Sequence, residues 1–403
     1  MSVKREIYLD HAATTYLDPR VEKAMLPYGQ KKFGNPSALY SKGREAMTAV
    51  ESARKMVADF FSCLPKEVVF EGSGTESDNH AIIGTALANQ ARGKHIITTA
   101  IEHHAVLHAC EFLESQGFTV TYLPVDKSGL VTPKQVVDAV RPDTILVSIM
   151  YANNEIGTIE PIAEIAEKLR EKNPQIIFHT DACQAAGFFD LNVQKLGVDL
   201  LTVNGSKVYG PKGTGALYIR NGVAVANLIH GGAQENSRRA GTENVAGIVG
   251  LATALTIAKK EGAKESVRLI KMRDQLIKGL LKMPKVILNG HPFKRLPNNV
   301  NVTIADLEGE GLLLYLDSLG ISASTGSACT SASLDPSHVI TAIGLPYEMA
   351  HGSIRFSFGR CNKPSDVSYL LKALPPIIKK LRAMSPVHVE IKIKDKRLGN
   401  LRK

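Results

Sequence analysis

Between residues 36 and 62, "PSALYSKGREAMTAVESARKMVADFFS" places Ala46, Val50, Ala53, Val57 and Phe60 at spacings of three and four. That period predicts an amphipathic helix with one buried stripe. "EVVFEGSGTESDNHAIIGTAL" then reads as a short apolar strand, a glycine-serine turn, and a helix whose first turn carries Thr75, Glu76, Ser77 and Asp78. The same unit recurs. "KHIITTAIEHHAVLHACEFLESQG" and "TILVSIMYANNEIGTIEPIAEIAEKLREK" each give a strand, a loop and a helix, and "QIIFHTDACQA" and "VDLLTVNGSKVYGPKG" add two apolar strands ending in polar loops. Strands alternating with helices predict an α/β fold with a mostly parallel sheet buried on both faces. Ligand-binding groups then collect at the strands' carboxyl ends, where every polar cluster just named falls.

Near residue 263 the texture changes. A charged helical stretch runs to about Leu281 and leads into "MPKVILNGHPFKRLPNNVNVTI", rich in Pro, Asn and Gly. Residues 264–403 are expected to form a second, smaller α/β unit holding "STGSACTSAS" and the strand "SIRFSFGR". No internal repeat or low-complexity segment interrupts this plan.

Composition narrows the class. The chain has 403 residues, and 44% apolar content is enough to fill a sizeable core. No apolar run approaches the roughly 20 residues needed to span a bilayer, and "MSVKREIYLD" turns polar before a signal-peptide core could form, so the cytoplasm is the expected location and no membrane partner is expected. Five scattered cysteines (63, 110, 183, 329, 361) form no Cys-x-x-Cys pair, which argues against a disulfide framework and a structural zinc site. The net charge of +10 is spread along the chain apart from the tail "IKIKDKRLGNLRK". A solvated tail, or a surface for an acidic protein partner, fits that spread better than direct nucleic-acid binding.

Several clusters can carry chemistry. Lys207 in "NGSKVYGPKG" follows an apolar strand, where a lysine can form a Schiff base with an aldehyde cofactor; a solvated loop lysine is the alternative. Gly205 and Ser206 before it supply a flexible backbone and a hydroxyl suited to a phosphate oxygen. Asp181 in "HTDACQA" can pair with a protonated ring nitrogen or simply cap a helix starting at Ala182, and Gln184 can reach another polar ring atom. "GSGTESDN" offers amides and hydroxyls at a helix start, but matches neither the Walker nor the dinucleotide pattern. His104 and His108 are four apart, yet no third ligand is evident and no metal is expected. His103, at the strand-to-helix corner, suits a flat ring facing a cofactor or a proton carrier. Asn154 ends a strand within reach of a cofactor oxygen or a substrate carboxylate. Arg355 carries a fork that binds a carboxylate or makes a structural ion pair. Cys329, read alone, fits a small buried apolar residue better than a nucleophile, yet its small neighbours make poor walls and leave the loop few anchors, so a mobile thiol is the other reading.

The segments "YLDHAATTYLDPRV", "FGNPS", "GTESDN", "EHHAVL", "NNEIG", "HTDACQ", "GSKVYGPKGTGALY", "RRAGTENV", "STGSACTSASLDPSHV" and "SIRFSFGR" occur in that order. Over essentially its whole length the chain thus resembles the cysteine desulfurases, pyridoxal 5'-phosphate (PLP) enzymes of the class-V aminotransferase family with the type I fold. The resemblance implies a homodimer, a large cofactor-binding domain over 15–263, and a small domain from 1–14 with 264–403.

It also implies the roles. Lys207 is the Schiff-base lysine, Asp181 the partner of the pyridine nitrogen, and Gln184 and Asn154 the contacts to the phenolic oxygen. His103 stacks on the ring and shuttles protons. Gly74, Thr75, Asn204, Gly205 and Ser206 bind the phosphate, with Thr242 reaching in from the other subunit. Arg355, with Asn154, holds the substrate carboxylate, and Cys329 is the nucleophile that takes sulfur from L-cysteine as a persulfide, leaving L-alanine. Implied acceptors are an iron-sulfur scaffold, on which Cys329 can transiently ligate a cluster, or a tRNA-thiolating enzyme. One departure stands out: the family usually has Ser-Gly-His-Lys where this chain has Asn204-Gly205-Ser206-Lys207, which leaves that phosphate contact to a hydroxyl. A selenocysteine lyase, an aminotransferase that makes no use of Cys329, and a non-catalytic scaffold protein are the rival readings on the same fold.

Overall fold

The computed structural model describes residues 6–326 and 336–384. Twelve strands are defined among them: β1 (Ile7–Tyr8), β2 (Val68–Glu71), β3 (His95–Thr99), β4 (Thr119–Leu123), β5 (Thr144–Ser148), β6 (Ile177–Asp181), β7 (Leu200–Asn204), β8 (Gly215–Ile219), β9 (Val286–Leu288), β10 (Asn299–Ile304), β11 (Ile321–Ser322) and β12 (Ser353–Ser357). Seven form one sheet in the order β2-β8-β7-β6-β5-β3-β4. The bonds β4-β3-β5-β6-β7 are all parallel, and only β8 runs against its neighbours β7 and β2.

The apolar runs explain this sheet. Successive side chains of a strand point to opposite faces. Ile97, Val147, Phe178, Leu201 and Ala216 enter one core, together with Val50, Ala53 and Val57 of the helix Ser41–Phe61. Their neighbours Ile96, Leu146, Ile177, Leu200 and Leu217 enter another, with Val106 and Leu113 of the helix His104–Ser115. A strand covered on both sides has no use for alternation, which is why "TILVS" is apolar almost throughout.

A smaller sheet, β12-β10-β9, is antiparallel, and β1 pairs with β11 in parallel. Ile7 and Leu9 therefore pack with Val300, Phe356 and Leu374, nearly the whole chain length away. The charged stretch after residue 263 is not the start of a new helix. It is the second half of a single helix, Val245–Leu280, 36 residues long and capped by the Asn244 side chain accepting from Gly247 N at 3.0 Å. Val245, Ile248, Leu251 and Leu255 of this helix belong to the core of the large sheet, whereas Leu269, Met272, Leu276 and Leu280 belong to that of the small one. No helix among the described residues is long and apolar enough to cross a membrane.

Midway along this helix, Gly262 passes the loop that follows β6. A Cβ at Gly262 would lie 2.6 Å from the carbonyl oxygen of Gly187. Alanine gains about 1 kcal/mol over glycine in helix propensity, but overpacking against backbone costs about 1–3 kcal/mol, so the contact outweighs the propensity. Gly262→Ala is expected to lower the midpoint of urea unfolding; an unchanged or raised midpoint would mean that the approach is slack.

Candidate functional site

The carboxyl ends of β3, β5, β6 and β7 lie along one edge of the sheet, and the chain turns sharply at each. Asp181 closes β6, and its Oδ1 accepts from Cys183 N at 2.8 Å. No helix begins at Ala182; residues 183–188 form turns, so Asp181 bends the chain without capping a helix. β7 ends at Asn204 and passes into one turn, Gly205–Lys207. Only glycine fits at 205, because a Cβ there would meet Pro211 O and Thr214 Oγ1 at 2.4 Å. The turn delivers Lys207 Nζ to the carbonyl of Ala13, at 2.5 Å.

At the β3 corner, Glu102 is fully buried and accepts from Thr99 Oγ1 at 2.6 Å and Met150 N at 3.0 Å, tying this strand end to that of β5. Burial pushes its carboxyl up to about 8. His103 next to it caps the helix His104–Ser115, its Nδ1 accepting from Ala105 N at 3.1 Å. That bond assigns the neutral ring's proton to Nε2. Burial holds the His103 pKa below its ordinary value; Asp181 pulls it up, and Lys207 pushes it further down. His103, Asp181 and Lys207, from three different strand ends, thus share one electrostatic environment.

Beside them is a cavity of about 270 Å³ lined by Thr14, Ser73, Asn204, Ser206, Lys212 and Thr214. Gly74 stands at its edge: a Cβ there would be 2.8 Å from Asn204 Nδ2 and 2.9 Å from Cys183 Sγ. Ser206 Oγ donates to Asn204 Oδ1 at 3.3 Å. Thr75, at the start of the helix Gly74–Asn79, is exposed. Hydroxyls, an amide and the Lys212 ammonium make this a cradle of the right chemistry for a phosphate, with the Lys207 amine one residue beyond Ser206. The residues present fit PLP. Thr242 does not line this cavity within the chain; it lines a neighbouring one with Glu71, Gly72 and Arg239.

At the other end, Arg355 on β12 is buried. Its Nη1 donates to Asn154 O at 3.0 Å and its Nη2 to Asp10 Oδ1 at 2.8 Å. Both readings of Arg355 therefore bear on one side chain, since an ion pair exists and donors are left over. Gln184 Nε2 donates to Ala12 O at 3.0 Å. Cys329 lies outside the described residues, and so does the expectation that its loop is a mobile tether. The flanking residues are held at one place: Ser337 Oγ donates to Glu155 Oε2 at 2.5 Å, and Gly326 leaves no room for a Cβ beside the same carboxyl oxygen.

The structure adds residues that spacing alone did not single out. Lys212 and Thr14 join the cradle, and Asp10 joins Arg355. The His338 ring lies tilted 4.8 Å from that of His104, which is 4.9 Å from that of His108, and it hydrogen-bonds the carbonyl of Glu102. Among the described residues no three His, Cys, Asp or Glu side chains are placed to share a metal ion. A Lys five residues past the Schiff-base candidate was readable as a second cation in "GPKG", whereas Asp10 and His338 carried no local signal.

Comparison with known proteins agrees with this geometry. The aminotransferase class-V family profile matches residues 7–370. The chain is 56% identical over 383 residues to cysteine desulfurase IscS of Methanosarcina thermophila, covering 95% of this chain and 94% of the relative. It is 53% identical over 395 residues to cysteine desulfurase IscS of Dictyoglomus turgidum, covering 98% and 100%. Among solved structures, a NifS-like protein superposes with a TM-score of 0.87 at 37% identity, covering 94% of this chain and 99% of the other. With a family match spanning nearly all the described residues, a mainly parallel sheet and a PLP-type site at its edge, the chain belongs to the class-V aminotransferase family, with the PLP-dependent type I fold.

Proposed function

We infer that this protein is a PLP-dependent cysteine desulfurase that converts L-cysteine to L-alanine and carries the sulfur away on Cys329. The observation that carries this reading is the placement of Lys207, Asp181 and His103 after β7, β6 and β3 along one edge of the sheet, beside an anion cradle cleared by Gly74. Relatives named cysteine desulfurase, at 53–56% identity, support the choice of reaction.

When bound, PLP supplies an electron-accepting ring that stabilises negative charge at the substrate Cα. The chain's own residues do the rest. Lys207 would hold the cofactor through its amine, which would also be the base for the Cα proton. Asp181 would keep a proton on the ring nitrogen, and Gln184 and Asn154 would orient the phenolic oxygen. Gly74, Thr75, Asn204, Gly205 and Ser206 would bind the phosphate, with Thr242 contributed by a second subunit of a homodimer. His103 would stack on the ring, with a transferable proton at Nε2. Arg355, with Asn154, takes the substrate carboxylate.

The thiolate of Cys329 attacks the substrate sulfur; the bond from that sulfur to the substrate Cβ breaks with its electron pair left on the carbon fragment, which takes up protons and leaves as L-alanine, and a persulfide remains on the enzyme. The persulfide then passes to an iron-sulfur scaffold or a tRNA-thiolating enzyme in the cytoplasm. Residues 15–263 form the cofactor-binding domain, and 1–14 with 264–403 the domain that carries the cysteine.

Two experiments test the reading. Purified wild type is expected to be yellow and Lys207→Ala colourless in the visible band of the bound cofactor; a wild type that stays colourless after incubation with PLP would sink the cofactor assignment. Cys329→Ser is expected to keep the colour and lose alanine and sulfide formation from L-cysteine, on the order of 10³-fold or more for loss of a nucleophile. Normal turnover by that variant would rule out the persulfide route.

A further inference from the structure

Two buried arginine-carboxylate pairs in this molecule are built differently. Arg54 and Glu235 meet fork to fork, Nη1 to Oε2 at 2.7 Å and Nη2 to Oε1 at 2.9 Å, so both carboxylate oxygens are used. That is the geometry of a closed structural pair. Arg355 and Asp10 meet through one oxygen only, Nη2 to Oδ1 at 2.8 Å. The Arg355 side chain is only 3% exposed, and its Nε is buried without a partner among the described residues. A buried guanidinium nitrogen without an acceptor is costly, and such an orphan marks a place where an acceptor is missing.

Asp10 is not free to close the fork. Its segment is stitched between β11 and β12: Leu9 N donates to Ser322 O at 2.9 Å, Ser357 N to Leu9 O at 2.7 Å, and His11 N to Ser357 O at 3.3 Å. The next turn is held by Ala13 N on Asp10 O at 3.0 Å. The backbone thus sets the carboxylate against one corner of the guanidinium; Nη1 also bonds Asn154 O, and Nε is left without an acceptor among the described residues. Glu155, the other carboxyl in electrostatic range of Arg355, is buried and engaged by Ser337 Oγ.

We propose that Asp10 is a built-in competitor for Arg355: it positions the guanidinium and partly neutralises it, so that an amino acid's α-carboxylate binds more weakly than a lone arginine would allow. This rests on the reading of Arg355 as the carboxylate site. The chemistry gives the device a purpose. Substrate and product of a desulfuration carry the same α-carboxylate, and binding both equally tightly adds nothing to turnover while slowing product release. A fixed counter-charge lowers that shared affinity without loosening the arginine.

The test is a titration of holoenzyme with L-alanine and with L-alaninamide, which lacks the carboxylate charge, followed through the absorbance of bound PLP. Asp10→Asn keeps an accepting oxygen for Nη2 and removes the charge. Two charges a few ångströms apart at a partly buried site interact strongly enough that its loss is expected to tighten L-alanine at least about tenfold and to leave L-alaninamide unchanged. The KM for L-cysteine should fall with kcat equal or lower. Asp10→Ser, which also retains an oxygen, should shift the two ligands in the same way and serves if the Asn variant folds poorly. Wild-type response to L-alanine with both variants unchanged or weaker, or alanine and alaninamide moving together, overturns the proposal alone. A wild-type holoenzyme that responds to neither ligand overturns the carboxylate reading of Arg355 and this proposal with it.

Discussion

Parallel pairing is the constraint from which the rest follows. Five adjacent strands, β4-β3-β5-β6-β7, run the same way, so their carboxyl ends share one edge and every loop leaving that edge meets the others. Parallel strands need helical crossovers, and these cover both faces and exclude water from the sheet. The same burial keeps His103 neutral and pushes the Glu102 carboxyl upward. Reversing β8 leaves the edge intact: its first residue, Gly215, tucks so closely under Ser73 that a Cβ would come within 2.4 Å of the Ser73 carbonyl oxygen.

A second constraint comes from the other end of the chain. Residues 10–13 give Arg355 a carboxylate, Gln184 the carbonyl of Ala12, and Lys207 the carbonyl of Ala13. Three groups from β12, the turns after β6 and the turn after β7 thus register against one bridge-and-turn segment, whose start is clamped between β11 and β12. The segment adds little apolar area. It aligns groups that belong to different sheets.

The strands and the site's centre were legible because their signals are local. An apolar run followed by Gly, Asp or Lys marks a strand end within ten residues, and Lys207, Asp181 and His103 each stand at one. Their particular roles came from resemblance, since a lysine after a strand is equally a surface lysine. What stayed hidden is long-range. Asp10 and Arg355 are 345 positions apart, and no periodicity links them. The continuity of the helix across residue 263 was hidden for a different reason: its solvent-facing side becomes densely charged there, while its buried stripe continues from Leu255 through Leu269 to Leu280. Texture reported the surface, and the fold followed the stripe.

That stripe has a mechanical side. At 1.5 Å per residue the helix Val245–Leu280 is a rod of about 54 Å, gripped by the large core at one end and the small core at the other. Swinging one body against the other means bending a continuous ladder of hydrogen bonds near Gly262, where a neighbouring carbonyl already presses on it. The rod acts as a splint. Motion during turnover is thereby steered away from wholesale closure and into side chains and connections at the sheet edge.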